Sequence, residues 1–237
     1  DSIIKNPGLE LKSKDAIKKL DYVFEATKLI KADINVPLIG FTGSPWTLFV
    51  YLFYGESPKN RNEIHDYLKL NSSKTHSYLK AMTEVMHDYV HAQIQSGANC
   101  IQIFDSWGGM LDSEYEEFSL MYINELAENI PSNIPVILFT RGKKIDSIIE
   151  STNINCFNLD ISDNIDHHID KSIVIQGNFD PSKFHSDADK LEELATQIFE
   201  KYKNKNNYIF NLGSGLTPDI DPEKVGIFLE KLSSLSS

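Results

Sequence analysis

Apolar positions along the chain fall into two rhythms. Short continuous apolar runs occupy 37–41, 100–104, 136–139, 156–159, 173–176 and 208–212, and each is cut off by Gly, Asn, Asp, Thr or Arg. Between them, apolar residues recur at spacings of three and four, over 16–30, 46–53, 62–70, 73–95, 112–129, 142–149, 165–169, 187–202 and 222–232. Continuous runs suit parallel strands covered on both faces, whereas the wider spacing suits amphipathic helices. The pattern therefore predicts an α/β fold in which about six parallel strands alternate with helices.

The clearest unit is 37–51, PLIGFTGSPWTLFVY, read as a buried strand, a tight turn and a helix. Pro45 suits a first helical turn, where its missing N–H is no loss. That turn would set the first N–H groups of a helix at the carboxyl end of a strand, a place receptive to an anion. An ordinary core strand-turn-helix has the same sequence pattern. Gly97 is expected to end the long helix in a left-handed cap.

Successive strands without a reversing gap favour a closed barrel over an open sheet. A complete (β/α)8 barrel has eight units, so six make an incomplete barrel, with the deficit expected before Asp1. One domain over 1–237 is expected, with a frayed tail at 233–237. Asn71-Ser-Ser73 matches a glycosylation acceptor and is set aside for a cytoplasmic chain.

Composition narrows the class. The 237 residues are 41% hydrophobic and 24% charged, ordinary for a globular protein. The formal charge of −11 disfavours a nucleic-acid partner, which needs a basic face to displace counterions. If the substrate is itself acidic, positive groups must be gathered locally, and Arg61 and Arg141 are the two arginines. Cys100 and Cys156 lie in apolar runs, which predicts buried reduced thiols and a reducing compartment. No apolar stretch approaches the ~20 residues of a membrane helix, so a cytoplasmic protein without a membrane partner is expected.

Four strand-end loops could carry chemistry: 41–47, 104–109, 176–181 and 211–219. All follow strands and so fall on the rim where barrels hold their sites. Asp105 and Asp180 could serve there or act as turn caps. Trp46 and Trp107 could be packing residues or ligand platforms.

The ordered series PLIGFTGSPWTL, CIQIFDSWGG, PVILFTRG, FNLD, IQGNFDP and IFNLGSGLTPDIDPEKVG resembles uroporphyrinogen decarboxylase from about Leu20 to the end. The resemblance implies a (β/α)8 barrel, a homodimer, and cofactor-free removal of carboxyl groups from the four acetate side chains of uroporphyrinogen III, giving coproporphyrinogen III for haem. It implies that Tyr51 approaches one substrate carboxylate, that Ser106 hydrogen-bonds another, and that Phe41 lines the tetrapyrrole cleft. Arg141 would supply a cation. Ser214 stands where the family has histidine, in NLGHG, and serine cannot hold a proton near neutrality.

The family's pyrrole-binding aspartate and its RQAGRY arginines match nothing in this chain, so the catalytic residues are expected before Asp1 and the polypeptide is expected to be inactive alone. Decarboxylation passes through a protonated pyrrole, which an anionic carboxylate stabilises. Two other readings compete. A cobalamin-linked methyltransferase of the same barrel type would hold zinc through His and Cys at strand ends, but ILFTRG and NLGSGL offer neither, and His167 and His168 are expected in a solvated helix. A non-catalytic tetrapyrrole-binding or regulatory barrel would fit Ser214 and the absent segment.

Overall fold

The computed structural model describes residues 2–11, 16–58, 62–169 and 171–236; Arg61 and Ser237 lie outside that set. Among the described residues, six strands alternate with helical segments: α1 (Asp21–Asp33), β1 (Ile39–Gly43), α2 (Pro45–Tyr54), α3 (Asn62–Gln95), β2 (Cys100–Asp105), α4 (Met121–Glu128), β3 (Val136–Thr140), β4 (Cys156–Asn158), β5 (Val174–Gln176), α5 (Ala188–Tyr202), β6 (Tyr208–Ile209) and α6 (Pro222–Leu235). Two compact units make up the chain, 1–156 and 157–237, with the division inside β4.

In the first unit, β1, β2 and β3 pair in parallel, with Phe41 opposite Gln102 and Gln102 opposite Ile137. α2 and α3 pack together and α3 lies against β1. The core beneath them holds Trp46, Phe49, Phe53, Ile64, Leu79 and Val90, all essentially removed from solvent. Burying each such side chain contributes about 1.5–3 kcal/mol. The first residues of the chain serve α2: the N–H groups of Ile3 and Ile4 bond the Leu52 and Phe53 carbonyls, two of the acceptors that a helix end leaves unpaired.

In the second unit, β5 and β6 pair in parallel, and the Leu159 N–H just after β4 bonds the Gln176 carbonyl. α5 and α6 close over a cluster of Phe179, Phe184, Phe210 and Phe228, whose rings meet at 4.7–6.2 Å. Tyr202 and Tyr208 stack at 4.1 Å.

Most expected elements are present, and the long helix has a break between its two expected segments. Asn71 leaves helical geometry at φ −134°, and its amide bonds the Tyr67 carbonyl. Gly97 adopts φ 112° as expected. The helix expected over 112–129 starts instead as a π-turn, Glu116–Leu120. Those expected over 142–149 and near 165–169 are single 3₁₀ turns, Ile145–Ser147, Ile149–Ser151 and Ile165–His167. Ile, Ser, Thr and Asn crowd these connections, and such residues resist or compete with helix. α1 is less amphipathic in practice than in pattern: Phe24 is buried, but Tyr22 and Leu29 are exposed.

Two further expectations are corrected. The serine tail is not frayed through 233–235, because α6 runs to Leu235, with the Ser234 hydroxyl bonded to the Lys231 carbonyl. His168 is buried beside Ile165 and Ile169, while His167 stays exposed.

Candidate functional site

Sheet geometry prepares one face in the first unit. Along β1 burial alternates, so that Ile39 and Phe41 face out while Gly40 and Thr42 are covered. Phe41, 60% exposed, meets Phe104 edge-on at 6.1 Å, and Phe104 meets Phe139 at 5.7 Å. Three adjacent strands thus contribute one aromatic row. The backbone at Phe41 is held by Gln93 of α3, whose amide accepts from the Phe41 N–H and donates to its carbonyl, each at 3.0 Å. Gly40 permits that clamp, since a Cβ there would stand 2.9 Å from the Gln93 oxygen.

The turn after β1 is more tightly built than its sequence suggests. Ser44 is the N-cap of α2, its hydroxyl accepting from the Thr47 N–H at 2.9 Å and donating to Asp105 Oδ1 at 2.6 Å. Asp105 is wholly buried, and burial pushes its pKa up against the pull of the Ser44, Tyr115, Ser119 and Thr47 hydroxyls. The anion-receptive helix start therefore faces a carboxyl of the protein itself. Asp180 is a turn cap: it accepts from the Ser182 N–H at 2.9 Å, and the Ser182 hydroxyl and N–H hold its carboxyl below the usual range.

Around this turn stand the residues expected to touch ligand. Tyr51 of α2 is 42% exposed and lies edge-on to the Trp107 ring at 6.1 Å. Trp46 is a packing residue, fully buried, with its indole N–H bonded to the Trp107 carbonyl at 2.9 Å. Ser106 is half-buried at the end of β2. Arg141, exposed at the end of β3, reaches the same loop through its backbone: its N–H bonds the Asp105 carbonyl, and its carbonyl accepts from Gly109. A Cβ on Gly109 would lie 2.7 Å from that carbonyl, so glycine is what allows the approach. Lys143 sits 4.9 Å over the Tyr115 ring and donates to the Asp112 carbonyl.

Phe41 within β1, Tyr51 on the helix after it, and Ser106 and Arg141 just past the carboxyl ends of β2 and β3 all belong to the first unit. Ser214 belongs to the second. There the loops 176–181 and 211–219 meet through a Phe179–Leu212 bridge and the Gly213 N–H on the Phe179 carbonyl. Ser214 is half-buried after Gly213, which packs on Ile161 so closely that a Cβ would approach within 2.6 Å. Cys156 is buried and Cys100 half-buried, both as free thiols, and burial raises their pKa values to about 12 and about 11.

Sequence reasoning had a signal for Asp105, a carboxylate directly after the apolar run 100–104. It had none for Gln93, Tyr115 or Ser119, which lie in long helical stretches and become site neighbours through packing alone. A groove of about 230 Å³ bounded by Asn124, Pro135, Val136 and Thr152 lies at the amino end of β3, the end of a barrel-type strand that bears on stability rather than chemistry.

Residues 5–235 match the family model described as Uroporphyrinogen decarboxylase (URO-D). The uroporphyrinogen decarboxylase of Francisella tularensis subsp. novicida (strain U112) is 37% identical over 238 residues, covering 96% of this chain and 69% of the relative. That of Hydrogenovibrio crunogenus (strain DSM 25203 / XCL-2) is 37% identical over 235 residues, covering 94% and 66%. Among solved structures, a methyltransferase from Methanosarcina mazei superposes with a TM-score of 0.73 at 18% identity, covering 100% of this chain and 70% of that one. A B12-independent methionine synthase from Shewanella sp. W3-18-1 gives 0.60 at 12% identity, covering 89% and 64%. At those identities the structural likeness speaks for the fold, an incomplete α/β barrel of TIM type, and not for methyl transfer. Matched along nearly its whole length by the family model, and more than one third identical to named relatives, the chain belongs to the uroporphyrinogen decarboxylase family.

Proposed function

We propose that this chain takes part in the decarboxylation of uroporphyrinogen III to coproporphyrinogen III in tetrapyrrole biosynthesis, as a cytoplasmic, homodimeric protein with a single barrel domain. Family membership supports the reaction. The observation that carries the site is the strand-end side of the first unit, where exposed Phe41 meets half-buried Phe104, Phe104 packs on buried Phe139, and Tyr51, Ser106 and Arg141 follow the same three strands. A flat macrocycle ringed by carboxylates calls for that combination of apolar floor and polar rim.

Phe41 lines the cleft, the Tyr51 and Ser106 hydroxyls donate to substrate carboxylates, and Arg141 offsets their charge. Ser214 takes the place of the family's histidine, donating a hydrogen bond without a titrating proton. The reaction is cofactor-free, with the substrate's own protonated pyrrole accepting the electron pair as carbon dioxide leaves. Among the described residues, no helix is long and apolar enough to cross a membrane.

The test is product analysis. Anaerobic incubation of uroporphyrinogen III with the intact gene product is expected to yield tetrapyrroles with seven, six, five and finally four carboxyl groups, at a rate unchanged by EDTA. Tight binding with all eight carboxyls retained would favour the non-catalytic barrel, and a rate abolished by EDTA and restored by zinc would overturn the cofactor-free step.

A further inference from the structure

Four hydroxyls from separate parts of the fold converge on one buried carboxyl. Ser44 and Thr47 come from the first turn of α2, and Tyr115 and Ser119 from the segment around the π-turn Glu116–Leu120. Ser44 Oγ lies 2.6 Å from Asp105 Oδ1 and Thr47 Oγ1 lies 3.5 Å from it. Tyr115 OH and Ser119 Oγ face the carboxyl, and neither they nor Asp105 Oδ2 makes a hydrogen bond of good geometry. Among the described residues no cation contributes to its titration, and Lys143 stands over the Tyr115 ring instead. Such a group is expensive to bury, and an apolar residue would fill the same space at less cost.

What the carboxyl does hold is geometry. Asp105 immediately precedes Ser106 and Trp107, and through Ser44 it grips the helix that carries Tyr51. We infer that Asp105 is a positioning residue: through the Ser44 hydroxyl it fixes where α2 presents Tyr51 relative to Ser106. The inference rests on the proposed roles of Tyr51 and Ser106. Thr47 reinforces the tie by accepting from the Trp107 N–H at 3.4 Å, and Trp107 in turn abuts Tyr51.

A double-mutant cycle on the intact gene product tests it, with anaerobic kcat/KM for uroporphyrinogen III as the readout. Ser44→Ala is expected to lower kcat/KM about tenfold, as for one lost hydrogen bond to a carboxyl, and by less than about twofold when Tyr51 is already Phe. Ser44→Thr, which keeps the hydroxyl, should restore it. Asp105→Ala, which removes the acceptor, is expected to lower kcat/KM about as far as Ser44→Ala does, and Asp105→Asn, which keeps an acceptor for Ser44, is expected to recover most of that loss; an Asp105→Ala enzyme as fast as wild type would overturn the inference. If Ser44→Ala does not fold, Ser44→Gly, which caps nearly as well but has no hydroxyl, replaces it in the cycle. Equal losses in both backgrounds would make the tie merely structural and overturn the inference. A Tyr51→Phe enzyme as fast as wild type would instead remove Tyr51 from the site, and both readings would fall together.

Discussion

At the scale of single residues, the informative one is Asp105. Burial raises its pKa, so the folded protein holds a proton there that the unfolded chain releases above the ordinary aspartate value of 3.8. The unfolded state then binds fewer protons, and stability falls as pH rises from that value through the raised folded one. Asp105→Asn cannot ionise. Its stability relative to wild type should therefore improve between pH 4 and pH 7.5, checked by urea unfolding at both. A difference independent of pH would mean that the carboxyl titrates normally.

Gly108 makes the same packing testable from the other side. A Cβ at that position would stand 2.1 Å from Asp105 Oδ2 and 2.9 Å from the Tyr115 ring. Gly108→Ala should destabilise by about 1–3 kcal/mol through overpacking, seen as a lower urea midpoint with an unchanged slope. An unshifted midpoint would show that the pocket yields. The glycine pair after FDSW was visible in the sequence, but not that one member guards a carboxyl and the other a backbone crossing.

At the scale of elements, legibility followed local chemistry. Ser44-Pro45 announced the start of α2, and the structure has Ser44 as N-cap with Pro45 first in the helix. Gly97 announced the end of α3. There φ is 112° and a Cβ would meet Lys31 Cγ at 2.7 Å, so Gly97→Ala should cost about 1–2 kcal/mol in thermal unfolding. A cost near zero would mean that the α3–β2 turn is free to relax. The 3₁₀ turns in 145–151 and 165–167 read as helices from sequence because turns of three residues carry too few periods to be told from a helix. The π-turn is set by tertiary contacts: His76 of α3 stacks on Phe118 at 4.7 Å and reaches Glu117 and Tyr122. Nothing local to 116–120 encodes those.

At the scale of the whole molecule, the parallel α/β order was written in the alternation of runs and periods, and the family in six ordered motifs. The candidate site was half legible. Phe41, Tyr51, Ser106 and Arg141 were named from their motifs, and the structure brings them to one unit. Gln93, which fixes the Phe41 backbone, and the Tyr115–Ser119 side of the Asp105 pocket depend on helices folding across the strand ends, which no local pattern records.

A chain of formal charge −11 that receives an eightfold carboxylate must do so through local geometry, since its overall field opposes the encounter. Anaerobic titration of the intact gene product with uroporphyrinogen III, followed by tryptophan emission, asks directly whether the face bearing Phe41 and Tyr51 receives the macrocycle. Saturable binding of one tetrapyrrole per chain, about tenfold weaker in Tyr51→Phe, is the predicted result. Binding untouched by Tyr51→Phe and Phe41→Ala together would contradict it.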